Sequence, residues 1–438
     1  MLIIPFCAGK TQSKSLNGIM LLWQCYICPC QTPPSSIQCI RNPREMVMDM
    51  SSMREILAGI MQAPGRSSIK SRKKSAGQVR KMVVLKNSHC YHHCLAQLQA
   101  LGIKPVKKVA GAHAVVCRFP AKASLKALSA HSMVKRVEHD AKVRLHRRKP
   151  ARSVRISAPC ASVNAPQVIP WGVKRVGAPG VWRSHQGSGV KIGIIDTGIS
   201  PHPDLRIRGR FNAIAGAPDT DENGHGTHVS GTASALNNSF GVVGVAPKAR
   251  LYSVKAFDAS GSAYVSDIVE ALEWCISHGM QVINMSFGIS GGSDTVKEQI
   301  ERAYRKGIVM IASAGNDGPN TEQIDFPARL PQVIAVAASN SSNKVASFSN
   351  RGKGIAVTAP GVDICSTLPN RSYGLMSGTS MAAPHVTGAA ALLLSKNRRL
   401  SPARIRQVLR ATAKRLSGYS SLAQGAGLVQ VDKAIRQV

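Results

Sequence analysis

A chain of 438 residues with 44% apolar side chains has material for two or three domains and a sizeable core, which excludes a wholly disordered polypeptide. The formal charge of +35 is unevenly spread: Met1 to Asn164 carries 28 basic and 5 acidic residues, Ala165 to Val438 carries 29 and 17. No aromatic interleaving or reader motif accompanies the basic half, so no nucleic acid is expected as partner, and no apolar run is long enough for a membrane span.

Residues 1–78 carry little pattern. Ile19-Met20-Leu21-Leu22-Trp23 is short and followed by Gln24; with Lys10 and Lys14 before it, it has part of a signal peptide's layout but lacks a small-residue cleavage site. Cys25, Cys28 and Cys30 lack the second paired cluster of a zinc site, and Met46, Met48, Met50 and Met53 leave room for a later translation start. This stretch is expected to be unstructured, ending in the basic run Arg66–Lys74.

Residues 79–146 read as a small α+β domain. Lys81–Leu85 is a strand, Cys94–Leu101 a helix stopped by Gly102, Pro105–Val109 and His113–Phe119 are strands, Ala121–Ala130 is helical and Val134–Glu138 is the last strand. That order, β-α-β-β-α-β, is ferredoxin-like. Cys90-Tyr91-His92-His93-Cys94 has soft-metal ligand types, but packing at a helix start accounts for it better. Residues 147–164, with Cys160, read as a linker.

From residue 165 to 438 strands alternate with helices. The apolar run Val190–Ile195 ends in Asp196-Thr197-Gly198, which puts Asp196 at the carboxyl end of a strand, where open α/β sheets keep their chemistry. Asn223-Gly224-His225-Gly226-Thr227-His228 then brings an imidazole to a Gly-rich helix start. Further strands at Arg208–Ile214, Ala249–Phe257, Gln281–Ser286, Ile308–Ala314, Val333–Ala338 and Ile355–Thr358, with helices such as Val265–His278 and Thr295–Lys306, predict a parallel sheet with helices on both faces. Gly378-Thr379-Ser380-Met381-Ala382-Ala383-Pro384 sets a hydroxyl where a helix begins, and the run His385–Leu394 is small and apolar all round, as in a buried helix. Unpaired N–H groups and the positive dipole end there favour an oxyanion, although Ser380 alone reads equally well as an N-cap. A serine nucleophile needs a base, and the imidazole needs a carboxylate to hold its tautomer; the chain supplies all three. Asp196-Thr197-Gly198 has no second copy to complete an aspartic dyad. Ser401–Leu416 is a basic amphipathic helix of the kind found on solvated surfaces.

From about Gln167 to the C-terminus these segments resemble the subtilisin family of serine proteases, which share the order Asp, His, Ser. The resemblance implies Asp196 as orienting acid, His225 as general base and Ser380 as nucleophile. Asn316, closing Ile311-Ala312-Ser313-Ala314-Gly315-Asn316, would donate to the oxyanion beside the Ser380 N–H. The implied fold class is α/β, a parallel-sheet catalytic domain preceded by a small α+β ferredoxin-like propeptide. Val134–Asp140 resembles the propeptide's closing motif, and its tail would lie in the substrate groove and be cut near His146. The protein would then be a self-processed zymogen of a serine endopeptidase.

A turn-rich loop, Leu236–Val242, can point carbonyls and an amide inward, and Asp204 offers a carboxylate, whereas Ca²⁺ takes about six to eight oxygens. The resemblance implies calcium as cofactor, held by the side chains of Gln167, Asp204 and Asn238 and the carbonyls of Leu236, Phe240 and Val242. His225 and His228 lack the spacing and the Glu of a zinc-protease helix. Gly261-Ser262-Ala263 and Ser286-Phe287-Gly288 resemble the two edges that pair with an extended substrate through main-chain hydrogen bonds. Asp325, with Asp317 following Asn316, is expected at the floor of the first side-chain pocket, extending acceptance to Lys or Arg. Expected partners are protein and peptide substrates and the chain's own propeptide, with the enzyme a monomer; an inhibited, calcium-dependent precursor suits secretion. Pairing of Cys275 with Cys365 is left open by the sequence. A catalytically silent binding protein is the alternative, and the complete Asp, His, Ser and Asn set counts against it.

Overall fold

The computed structural model describes residues 43–61, 77–145, 160–321 and 323–438. The cysteines at 25, 28 and 30, the run Arg66–Lys74 and the expected cut beside His146 lie outside them. The chain divides into two units, Met1–Met46 and Val47–Val438, and the sheets found among the described residues lie in the second.

Part of the stretch expected to be unstructured is helical, as α1 (Pro43–Met61). Met53, Leu57 and Ile60 recur at helical spacing and are buried in one apolar cluster with Val83, Val115, Phe119 and Leu128 of the small domain. That domain contains β1 (Gln78–Leu85), α2 (Ser88–Ala100), β2 (Lys107–Val109), β3 (Ala114–Pro120), α3 (Lys126–Ala130) and β4 (Val134–His139). The strands form one antiparallel sheet in the order β2-β3-β1-β4. Helix α2 starts a turn and more before Cys94, because the Asn87 side chain accepts the Cys90 N–H at 2.9 Å and caps it there. Cys90, Tyr91 and Cys94 are thereby helix body, buried with Leu98. Among the described residues no group of three or more His, Cys, Asp or Glu is placed to hold a metal.

After β4 the chain forms β5 (Lys142–Arg144), which leaves this sheet. The large domain begins with α4 (Trp171–Arg175), β6 (Lys191–Asp196), β7 (Ile207–Asn212), α5 (His225–Ser234), β8 (Arg250–Lys255), β9 (Ser262–Tyr264), α6 (Val265–Ser277) and β10 (Val282–Met285). It continues with α7 (Asp294–Arg305), β11 (Val309–Ser313), β12 (Val333–Ser339), β13 (Ile355–Pro360), β14 (Ile364–Leu368), β15 (Ser372–Met376), α8 (Thr379–Lys396) and α9 (Pro402–Ala411). Seven parallel strands stand in the order β13-β12-β11-β10-β6-β8-β7.

Apart from the edge strand β7, the strands are buried on both faces, and their side chains alternate between two cores. Val309, Ile311, Ile334 and Val336 join Val229 of α5 and Val386 of α8 on one side. Met310, Ala312, Ala335 and Ala337 join Ile268 of α6 and Ile300 of α7 on the other. Helix α8 is buried from Thr379 to Leu394, as its apolar composition requires. Cys365 is bonded not to Cys275 but to Cys160, across 205 residues, while Cys275 is a free thiol inside the second core. Burial there pushes the Cys275 thiol well above its ordinary range.

Candidate active site

Strand β6 ends at Asp196, a fully buried carboxylate. Its Oδ1 lies 2.7 Å from His225 Nδ1, at the first residue of α5. The close approach of helix to strand needs Gly226, where a Cβ would stand 2.1 Å from the Gly198 carbonyl oxygen.

The loop into α5 is held by Asp221, which no sequence motif flags. Its buried carboxylate accepts from Thr197 Oγ1 at 2.8 Å, Asn223 N at 2.9 Å, Gly224 N at 2.8 Å, Thr227 N at 2.8 Å and Thr227 Oγ1 at 2.7 Å. Thr197 Oγ1 also accepts the Gly226 N–H at 2.9 Å, so one hydroxyl joins the acid's turn to the base's helix. Lys255 is the second residue outside the motifs. It is fully buried, and its Nζ donates to Thr197 O at 3.0 Å and Thr220 O at 2.8 Å, with Glu222 Oε2 at 3.4 Å.

Ser380 stands in the first turn of α8, which packs against α5. Its hydroxyl donates to Ser286 O at 3.1 Å, and Ser286 Oγ donates back to Ser380 O at 3.0 Å. Among the described residues Ser380 and His225 share no hydrogen bond, so the continuous relay expected from the sequence is open at that link. Links of this kind often tighten only when substrate arrives. Asn316 follows β11, and its Oδ1 accepts Thr379 N at 2.9 Å and Thr379 Oγ1 at 2.8 Å. That fixes which way the amide points. A Cβ at Gly378 would lie 3.3 Å from Asn316 Nδ2 and 3.6 Å from Ser380 N, so a glycine keeps open the gap between the two donors.

The tail of the small domain occupies one edge beside this centre. β5 pairs antiparallel with β9, matching Lys142 to Tyr264, Val143 to Ala263 and Arg144 to Ser262, and Leu145 N donates to Gly261 O at 2.8 Å. Glu138 and Asp140 sit on helix N-termini: Glu138 Oε1 accepts Thr295 N at 3.0 Å on α7, and Asp140 Oδ1 accepts Ser266 N at 2.8 Å on α6. Arg136 bridges to Glu298 at 2.6 and 2.9 Å. Burial would raise the Glu298 carboxyl, but the hydrogen bonds from Arg136 and Lys135 hold it below the usual range. Phe287 is a core side chain packed at a tilt against Phe257, so only its backbone is available to a substrate, and Gly288 is partly exposed. Asp325 is half-buried beside Gly315 and accepts from Asn350 Nδ2 at 3.2 Å.

Away from the centre, Gln167 Nε2 points at Leu236 O, Asn238 Oδ1, Phe240 O and Val242 O, at 2.8, 2.9, 3.2 and 3.3 Å. Four oxygens thus converge on one point. Asp204 borders them through Asn238 Nδ2, at 2.8 Å. His228 bonds to the Ile364 carbonyl, and His385, wholly buried, is lowered to about 4 by that burial. Both belong to the core.

Fold and comparisons together make this chain a serine endopeptidase. Residues 187–427 match the family described as the subtilase family, Peptidase_S8. Subtilisin Savinase of Lederbergia lenta is 48% identical over 272 residues, covering 62% of this chain and 100% of that protein. The alkaline protease of Alkalihalobacillus alcalophilus is 48% identical over 272 residues, 62% of this chain and 70% of its own, and subtilisin E of Bacillus subtilis is 47% identical over 274 residues, 61% and 71%. The chain belongs to the subtilase family.

Replacing Asp221 by Ala leaves five donors, four of them buried, without their acceptor. Thermal unfolding should show a loss of about 3–5 kcal/mol. A transition within a degree or two of the parent's would remove Asp221 from this role.

Proposed function

We propose that Asp196, His225, Ser380 and Asn316 carry out peptide-bond hydrolysis as orienting acid, general base, nucleophile and oxyanion donor. The observation that supports this most is the buried 2.7 Å contact between Asp196 and His225 at the sheet's carboxyl edge, with the N-terminus of α8 packed alongside. With substrate bound, Ser380 turns its hydroxyl from Ser286 O to His225 Nε2. Oγ attacks the scissile carbonyl as its proton passes to Nε2, and Asp196 steadies the imidazolium through Nδ1. The oxyanion is met by Ser380 N–H and by Asn316 Nδ2, which Thr379 aims. The imidazolium then gives its proton to the departing amine, and water repeats the sequence on the acyl-enzyme.

Residues 79–146 act as an inhibitory propeptide whose tail mimics a substrate strand. The pairing of β5 with β9 supports this, as do Glu138 and Asp140 on two helix N-termini of the large domain. A substrate would use the same edge, Gly261 and Ser262, with the Ser286–Gly288 backbone opposite. Asp325 beside Gly315 favours Lys or Arg next to the cut, in keeping with the basic stretch Arg147–Lys149.

The oxygen cage suits Ca²⁺: three carbonyls and Asn238 Oδ1 converge near one carboxylate, all hard ligands, and Gln167 would join them by turning its amide so that Oε1 replaces Nε2. Gln167, Asp204, Leu236, Asn238, Phe240 and Val242 would hold the ion, which would neutralise the converging dipoles and cross-link the loop to the segment before α4. Secretion is supported by the Cys160–Cys365 disulfide, a bond that persists in oxidising compartments.

A serine-directed phosphonate should label the purified enzyme but not Ser380→Ala, which should also stay a single uncut chain on denaturing gels. Asn316→Ala should lower kcat by about 10²–10³ with KM little changed, the cost of one oxyanion donor. Labelling of the Ser380→Ala protein would end this reading. In peptide-library profiling, Lys and Arg should be accepted beside the cut by the parent and lost in Asp325→Ala; a large-apolar preference identical in both proteins rejects the pocket assignment. Chelation with EGTA should lower thermal stability, by about 2.7 kcal/mol relative to calcium at a hundred times its Kd. The same chelation should have no effect on Asn238→Ala, and an equal drop in that variant would place the ion elsewhere.

A further inference from the structure

A strong charge imbalance outside the catalytic centre surrounds a cleft of about 420 Å³. Arg206, Arg208, Lys248 and Arg250 line it, with Gln186 and the Asn237–Asn238 turn. All four cationic side chains are exposed, and among the described residues none of them forms an ion pair. The wall contains no carboxylate. Four like charges around one concavity raise the local potential and attract a counter-anion.

Groups that would repel an anion are already engaged. The carbonyls of Ser188 and Gly189 are covered by the Arg398 guanidinium, at 2.8 and 3.2 Å. Asp204, which bonds to Asn238 of the wall, is fully buried; Oδ1 accepts Asn238 Nδ2, and Oδ2 accepts Val242 N and Tyr373 OH, each at 2.8 Å. No lining side chain is aromatic, so a nucleic-acid strand would find no surface on which to stack a base. The guanidinium forks of Arg206, Arg208 and Arg250 match the oxygens of tetrahedral oxyanions in pairs.

We propose that this cleft binds an anion bearing several tetrahedral oxyanion groups, either a short polyphosphate chain or a sulfated sugar. Arg206, Arg208, Lys248 and Arg250 are its recognition residues, and the peptidase centre takes no part.

The test is calorimetric titration of full-length Ser380→Ala protein with tripolyphosphate and, separately, with a multiply sulfated disaccharide. Arg208→Glu and Lys248→Glu are added in turn, with Arg208→Gln as the milder change and Lys353→Glu as a reversal outside the cleft. Saturable binding should weaken about tenfold or more in each reversal, less in Arg208→Gln, and stay unchanged in Lys353→Glu. The anion held more tightly names the source. Circular dichroism and thermal transitions matching the parent show that the variants fold, and peptide hydrolysis by Arg208→Glu in the Ser380 enzyme should proceed at the parent rate. The absence of saturable binding by either anion, or an equal loss in Lys353→Glu, would overturn the proposal.

Discussion

A carboxylate taken out of water must be given hydrogen-bond donors or a cation, and the centre of this enzyme depends on two that are. Asp196 and Asp221 are both buried, and their hydrogen-bond partners come from the same two loops, although Oδ2 of Asp196 has none among the described residues. Lys255 completes the arrangement. It lies opposite Asp196 in the sheet register, yet its ammonium reaches past the acid to two backbone carbonyls, one after Asp196 and one before Asp221. The loop after Asp196 and the loop that leads to His225 are therefore fastened to each other by one cation and one anion. His225 is placed by that pair as much as by its own contact with Asp196.

Helix N-termini do the remaining electrostatic work, in two different ways. At α8 the Ser380 N–H and the Asn316 amide face a gap kept open by Gly378. At α6 and α7 the same kind of terminus is filled, by Asp140 and Glu138 of the small domain. The small domain thus docks in part by supplying carboxylates to these helix N-termini. Its apolar contribution is narrower: Met82, Val84, Val109 and Val116 join the core cluster built around α6 and α7.

Much of this is legible in the sequence because the chemistry follows backbone rules. Strands buried on both faces read as continuous apolar runs, and the residues at or just after their ends, Asp196, Ser286 and Asn316, are brought to one edge by parallel topology alone. Helix α8 is legible from its apolar circumference. Asp221 and Lys255 are not. In sequence they are an acid in a polar turn and a base at a strand end; four of the five donors to Asp221 come from within six residues of it, but tertiary folding adds Thr197 Oγ1 and surrounds Lys255 with carbonyls. Helix α1 hides for a different reason: Met53, Leu57 and Ile60 have the right spacing, but they lie in a methionine-rich stretch that also reads as a misplaced start. The Cys160–Cys365 pairing is illegible because 205 residues separate two cysteines with no local signal.

The segment after Cys160 ties these parts together. Ser162 O accepts Gly241 N at 3.1 Å, Gln167 N donates to Ser239 O at 3.1 Å and Val168 N to Gly241 O at 2.7 Å, so the strand is laced along the loop that forms the oxygen cage. Its disulfide partner Cys365 lies in β14, where Ser366 Oγ and Thr367 Oγ1 donate to the carbonyls of His228 and Thr227 in α5, at 2.7 and 2.8 Å. Asp204 is bonded to Tyr373 of β15, the partner strand of β14. A cut anywhere upstream of Cys160 leaves this lacing intact, since every contact in it involves residues from 160 onward. The cage and the bridge therefore bear on the helix that carries His225 through β14 and β15, although none of their residues touches the catalytic groups. Stiffness at His225 is supplied from the side of the molecule that holds the Cys160–Cys365 bridge.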